Sequence, residues 1–366
     1  GNIRVKCADM LGPLLAGQRM DDDTFLYLWH HADLLDLAAV ANTLRDQRFP
    51  DKVVTFIVDR NINYTNVCTC RCRFCAFYRD KSAPDAYIID RPELYAKIEE
   101  AISLGATQLM IQGGLHPDLN IDFFTSMFSD IKARYEITIH SLTAPEVVNI
   151  AKVSGISVHE TLERLKKAGL ASLPGGGAEV LSDRVRSHIS PRKIKSQEWL
   201  DVMETAHKVG LSTTATMMMG SIDTIEDRLE HLRQIRFLQD RTGGFRAFIA
   251  WTYQPGNTEL GGRKTDSLEY LRFIALSRLY LDNFDHIQGS WVTQGKQIGQ
   301  LSLYFGADDL GSVMLEENVV KAAGTTNEIS LADMIETITG TGHRAAQRDS
   351  TYRHLRYFEP VAREHT

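Results

Sequence analysis

Residues 196–220 read SQEWLDVMETAHKVGLSTTATMMMG, a helix over 196–210 that ends on Gly210 and passes directly into a strand over 211–220. The same unit recurs along the chain. Strands are expected at 53–58 (VVTFIV), 107–114 (TQLMIQGG), 136–142 (EITIHSL), 170–176 (LASLPGG), 211–220, 245–254 (FRAFIAWTYQ), 286–291 (HIQGSW) and 300–307 (QLSLYFGA). Helices read between them at 92–105, around 121–134, and at 159–169, 196–210, 225–240 and 267–281. Strands alternating with helices imply parallel βαβ units, and eight such units imply a closed (β/α)8 barrel of the TIM type, an α/β fold. The alternative is an open doubly wound sheet, but its GxGxxG after the first strand is absent. An N-terminal helical segment over 1–50 then precedes a barrel domain over 51–327. Residues 328–366, with LADMIETIT followed by TGHRAAQRDSTYRHL, read as a C-terminal extension packed on the barrel.

The 366 residues are 43% hydrophobic and 24% charged, which excludes disorder, collagen and coiled coil as descriptions of the whole. Aspartate and glutamate number 47 against 41 lysines and arginines, a net charge of −6. That sign argues against a nucleic-acid partner, whose phosphates call for a basic face. Basic clusters such as Arg164, Lys166 and Lys167 read as a solvated helix face. No apolar run reaches ~18 residues, so no membrane partner is expected. The opening GNIRVKCADM does not read as a signal peptide, and the expected location is cytoplasmic.

Five cysteines do not make a disulfide framework in a chain this long. Four of them, Cys68, Cys70, Cys72 and Cys75, lie within eight residues and cannot staple distant parts of a fold, so they read as metal ligands. They follow the first strand, at the mouth where barrel enzymes keep their chemistry. The spacing Cys68-x3-Cys72-x2-Cys75 offers three thiolates, the usual ligands of iron–sulfur clusters. Three ligands on a four-iron cube leave one iron open to a small molecule's amine and carboxylate. Structural zinc held by all four cysteines is the alternative, although zinc usually takes two separated pairs. Cys70 reads as a bystander on the loop, Cys7 as a small buried hydrophobe or an exposed thiol, and Met217–Met219 as strand core.

The triplet and its aromatics, within NYTNVCTCRCRFCAFYRD (63–80), resemble the radical S-adenosylmethionine superfamily. The resemblance implies a [4Fe-4S] cluster on Cys68, Cys72 and Cys75, with S-adenosylmethionine on the fourth iron and Phe74 beside them. It implies that Gln112, Gly113 and Gly114 of IQGG grip the cofactor amine. Ser141, in HSLTAPE (140–146), would meet its carboxylate or ribose, and Glu179 its ribose hydroxyls. Arg192, or its neighbour Lys193, would meet the methionine carboxylate, and arginine suits that planar partner. PGGGAEVL (174–181) looks like a phosphate cradle, but no P-loop lysine follows, which favours close backbone approach to the cofactor. The electron would come from a flavodoxin- or ferredoxin-like reductant.

Over roughly residues 50–355, IQGGLHPDL, ATMMMGSIDT, LQDRTGGFRAFI and QRDSTY are similar to one subgroup. It holds the futalosine-pathway enzymes of menaquinone synthesis and the deazaflavin-cofactor synthases. AFIAWTYQPGNTEL (247–260), QGSWVTQGKQIGQLSLYFGADDLGS (288–312) and MLEENVV (314–320) look most like the cyclase branch. Asp308 stands where that branch carries Asn, and Asp223 where Glu is more usual. The resemblance implies a nucleoside–benzoate substrate that loses the ribose C4′ hydrogen. The carbon radical closes a spiro ring onto the benzoate, which then sheds one electron and one proton. Trp251, Gln254, Asn257 and Glu316 are the expected substrate contacts. Asp309 is the expected base, chosen from the loop GADDLGSVMLEEN (306–318). The sister aminofutalosine and deazaflavin activities, and an iron–sulfur electron carrier without turnover, are the competing readings.

Overall fold

Val53–Asn63 is buried along all but its last residue, as a parallel strand covered on both faces must be, and the sheet is built outward from it. The computed structural model describes residues 2–256, 258–314 and 329–359. After β1 (Val53–Asn63) come β2 (Gln108–Gln112), β3 (Thr138–His140), β4 (Leu170–Leu173), β5 (Ser212–Met219), β6 (Phe245–Thr252), β7 (His286–Gln288) and β8 (Asp309–Met314). They pair in parallel in chain order, and β8 returns to pair with β1 through Ile57↔Ser312 and Asp59↔Met314. This is the closed (β/α)8 barrel expected from the alternation.

The helices start and stop where short-range chemistry dictates. Asp90, Thr143, Ser157, Thr224 and Asp266 each accept a backbone N–H in the first turn of the helix that follows. The helices Ala144–Ser154 and Ile225–Thr242 end on glycines in the left-handed conformation. Before the barrel, Asn2–Leu15, Asp22–His31 and Leu34–Arg48 are helical, and Leu34–Arg48 packs against the barrel helix Ser267–Tyr280. No helix among the described residues is long and apolar enough to cross a membrane.

Strand eight is not QLSLYFGA. Lys296–Ser302 is a helix, and the chain then turns through Gly306 at φ +92 before β8 begins at Asp309. Leu301 is exposed while Leu303 and Phe305 are buried, as around a helical turn rather than along one face of a strand. The real strand, DLGSVM, carries an aspartate and a glycine that lower its propensity. Tertiary partners decide it: Arg348 and Thr55 both donate to the Asp309 carboxylate.

The C-terminal segment adds the helix Leu331–Thr339 and two further strands, β9 (Arg344–Arg348) and β10 (His354–Phe358). β9 pairs in parallel with the first residues of β1, on the edge that β2 takes farther along. β10 folds back antiparallel on β9. This brings Arg348, Ser350 and Tyr352 under the barrel.

Candidate active site

A cavity of about 420 Å³ runs through the barrel, from the cysteine loop at the mouth to Arg246 at the start of β6 and Arg348 at the end of β9. All four clustered cysteines line it. Their loop is tied at both ends. Cys68 N donates to Arg79 O and Thr69 N to Leu115 O, at 3.0 and 3.2 Å. The Arg79 guanidinium gathers the carbonyls of Ala76, Phe77 and Tyr78, holding the loop's exit. Cys70 and Cys72 are buried with their sulfurs 3.6 Å apart, while Cys68 and Cys75 are partly exposed.

The glycine-rich turn after β2 lies against this loop, and its missing side chains are what permit the contact. A Cβ on Gly114 would fall 2.1 Å from Val67 O and 2.8 Å from Cys68 Cβ; one on Gly113 would enter the Tyr64 ring. Glu146 fixes the turn from below. It accepts from Gly113 N at 2.9 Å, from Tyr64 Oη at 2.6 Å and from Thr143 Oγ1 at 2.7 Å. Burial pushes its carboxyl up to about 7 against those three bonds. Across the mouth, Glu179 sits at φ +45, an uncommon conformation for a side-chain-bearing residue, and accepts from Lys193 at 3.1 Å. Lys193 Nζ also lies 5.1 Å over the Phe74 ring. Soft thiol donors on one loop, main chain opened by two glycines, and a carboxylate and an ammonium across the mouth fit an iron–sulfur cluster with a bound amino-acid sulfonium.

Deeper in the barrel the lining turns from thiol to charge. Asp59 accepts from Gln108 Nε2 at 3.0 Å and from the Ser312 hydroxyl, and Gln108 in turn accepts from Ser350. Burial raises the Asp59 carboxyl to about 6, against those two bonds and the Arg348 charge. His140 lines the same region and shares a 2.6 Å bond with Ser172. Burial first, then the Arg246 and Arg348 charges, lower its ring to about 3, so it is neutral. The Tyr352 ring stacks on His286 at 3.7 Å and carries Arg348 on its other side at 3.9 Å.

Of the residues expected from sequence, the structure gathers Cys68, Cys72, Cys75, Phe74, Gln112, Gly113, Gly114, Glu179 and Trp251 around one cavity. Others it does not bring there. Ser141 is fully buried, accepts from Ile111 N at 2.9 Å and so staples β3 to β2. Arg192 is exposed, with Lys193 facing inward in its place. Gln254 is buried beside the cavity with its amide spent on the Thr252 and Thr293 carbonyls. Asp309 is fully buried and held by both Arg348 Nε and Nη2, by Thr55 and by Gly311 N, so its carboxylate oxygens are occupied and it does not line the cavity. Asn257 and Glu316 lie outside the described residues. The departures at Asp308 and Asp223 are structural. Asp308 accepts from Arg278, His286 and Ile287 N, and Asp223 from Arg228 and the turn amides of Gly220 and Ser221.

A parallel barrel closed on itself, with a thiol loop after its first strand, defines the class, and comparison with known proteins agrees. Residues 62–235 match the radical SAM superfamily, and residues 242–361 match the CofH/MqnC C-terminal region. The chain belongs to the radical SAM superfamily and is an enzyme of that type. Within it, a cyclic dehypoxanthine futalosine synthase of Streptomyces coelicolor is 47% identical over 93% of this chain and 86% of its own. A protein of the same name from Halalkalibacterium halodurans is 42% identical over 94% and 93%. An Archaeoglobus fulgidus 5-amino-6-(D-ribitylamino)uracil–L-tyrosine 4-hydroxyphenyl transferase is 41% identical over 86% and 92%. Among solved structures, methylornithine synthase superposes with a TM-score of 0.72 at 16% identity, covering 92% of this chain and 97% of its own. The hydrogenase maturase HydG superposes with 0.76 at 14%, covering 94% and 77%. At such identities these two speak for the fold alone.

Proposed function

We propose that this enzyme converts dehypoxanthine futalosine to its cyclic product, closing the nucleoside ribose onto the attached benzoate ring. The observation that carries this reading is the 47% identity to a synthase of that name, sustained over 93% of the chain and so over both matched regions. When bound, the cluster and S-adenosylmethionine supply the radical that takes hydrogen from ribose C4′. Cys68, Cys72 and Cys75 would hold the cluster. Gly113 and Gly114 would present main chain to the methionine amine, Lys193 would meet its carboxylate and Glu179 the ribose hydroxyls. Trp251 covers the substrate from β6, and the barrel walls exclude water from the ring closure. An external flavodoxin- or ferredoxin-like protein would deliver the electron.

The last step needs a proton acceptor on the chain. Asp59 replaces Asp309 in that role, because it lines the cavity while Asp309 is occupied by Arg348. A base raised to about 6 is ionised at neutral pH and still basic enough to accept.

The archaeal relatives support a second reading, transfer of a tyrosine-derived hydroxyphenyl group to a ribitylaminouracil. Anaerobic incubation with each substrate set separates the two. Dehypoxanthine futalosine deuterated at C4′ should give the cyclised product and move its label into 5′-deoxyadenosine. Label found only in solvent, or product only from tyrosine with the uracil, would overturn the proposal.

A further inference from the structure

Among the described residues, three arginine or lysine side chains line the cavity, and two of them pair with carboxylates of the protein. Lys193 pairs with Glu179 near the mouth, and Arg348 pairs with Asp309. Arg246, the second residue of β6, is different. Its Nη1 donates to the Ser350 carbonyl at 2.8 Å, and no carboxylate lies within ion-pair distance of it among the described residues. The neighbouring carboxylate, Asp349, is taken up by Thr351, by the Arg353 amide and by the Arg353 guanidinium at 3.3 Å. A half-buried guanidinium with no carboxylate in contact is costly to maintain, and burial pulls Arg246 below its ordinary value even with the Asp349 charge nearby. Its free donors form a planar fork suited to two oxygens of one carboxylate.

Apolar side chains form part of the walls between Arg246 and the mouth, beside the polar residues of β1. Ile57 and Leu310 line one side, Met110 another, and Ile249 continues β6 above Arg246. Between Arg246 and Trp251 β6 carries a bulge, three residues from Phe245 to Phe248 matching two on β5, which turns both side chains into the cavity and sets them roughly 13 Å apart along the strand. A flat apolar group would occupy these walls, with an anion on its far end meeting the guanidinium. Neutral His140 adds no competing charge there.

We propose that the inner end of the cavity is a carboxylate subsite in which Arg246 binds the acid group of an aryl substrate. In the reading above, which this inference deepens, that group is the benzoate carboxylate. Arg246 thus sets the depth at which the ring lies and the face it turns to the ribose. It also makes an acid preferred over its neutral amide.

The test measures binding to the cluster-loaded, unreduced enzyme, where no turnover occurs. The probes are dehypoxanthine futalosine, its carboxamide, and benzoate itself. Wild type should bind the acid at least ~30-fold more tightly than the amide, as expected for a buried charge pair, and Arg246→Gln should lose that preference while binding the amide as before. Arg246→Lys keeps the charge but not the fork, and should weaken the acid by ~10-fold with the amide unchanged. An Arg246→Gln enzyme with normal iron content and an intact preference for acid overturns the inference. Should Arg246→Gln fail to take up iron, Arg246→Lys decides: a selective loss of acid binding supports the subsite, and an equal loss on both probes refutes it. Wild-type cyclisation with an intact preference in the variant removes the subsite alone. Arg246-dependent benzoate binding without any cyclisation removes the functional reading and leaves the subsite standing.

Discussion

Replacing Asp59 by asparagine should raise stability and lower product formation at once. The carboxyl is 1% exposed and is pushed from an ordinary 3.8 to about 6, chiefly by burial. Below pH 4 it is protonated in both native and unfolded chains. Between about pH 4 and 6 the unfolded chain has lost the proton and the native chain keeps it, so stability falls as pH rises through this window. Above it the penalty is complete, roughly 3 kcal/mol at ~1.36 kcal/mol per pH unit. Asparagine cannot ionise, and its carbonyl still accepts from Ser312 or Gln108. One rearranged hydrogen bond costs about 1 kcal/mol in return. Urea unfolding of Asp59→Asn should therefore show a shallower decline than wild type from pH 4 to 6, since Glu146, raised to about 7, still contributes its own, and a net gain of about 2 kcal/mol at pH 8. In the anaerobic assay the variant should still move the C4′ label to 5′-deoxyadenosine, but close the ring ~10²-fold or more slowly. Wild-type ring closure should rise with pH through about 6, as Asp59 ionises. A variant that is less stable at pH 8 and cyclises at the wild-type rate would refute both the burial argument and the proton-acceptor role.

Cys68→Ala, Cys72→Ala and Cys75→Ala should each abolish the four-iron cluster and Cys70→Ala should keep it, as read by iron analysis. Iron lost from Cys70→Ala but kept by Cys72→Ala would show the ligand register to be shifted. Gly114→Ala should lower iron uptake with circular dichroism unchanged, because the added methyl would lie 2.1 Å from Val67 O and must displace the cysteine loop; full iron content would show that the loop yields at little cost. Asp309→Asn strands the buried Arg348 without its counter-charge and should cost about 3–5 kcal/mol in urea unfolding. An unchanged midpoint there, with slow cyclisation, would return Asp309 to the role of base.

The barrel was legible because its signals are local. Caps such as Thr224 with Asp227, glycines at helix ends and runs of buried apolar strand each act over a few residues, and seven of the eight strands fall within or overlap their expected spans. The eighth failed because its evidence is remote: β8 holds an aspartate only because Arg348, 39 residues on, arrives through β9 to meet it. The outer half of the site was legible for the same local reason, since four cysteines within eight residues carry their chemistry in their spacing. The inner half was not. Arg246 and Ser350 are 104 residues apart, and Asp59 and Ser312 are 253 apart. Nothing in composition says that one arginine there is neutralised and another is not.

One of these residues nonetheless left a trace. The β1 segment TFIVDRNIN puts Thr55, Ile57, Asp59, Asn61 and Asn63 at every second position, and Ile57, Asp59, Asn61 and Asn63 all line the cavity. A strand buried on both faces has no reason to carry polar side chains at a period of two unless one face looks into a polar interior. The same period explains why the adjacent aspartates at 308 and 309 serve different partners. Asp308 meets Arg278 and His286 outside the barrel, whereas Asp309 lies opposite Thr55 in the β1–β8 register and is sealed by Arg348. Four residues farther along β1, where Asp59 faces Met314 and bonds Ser312, the carboxylate opens on the cavity instead. The register of β1 against β8 therefore decides which carboxylate is structural and which can do chemistry.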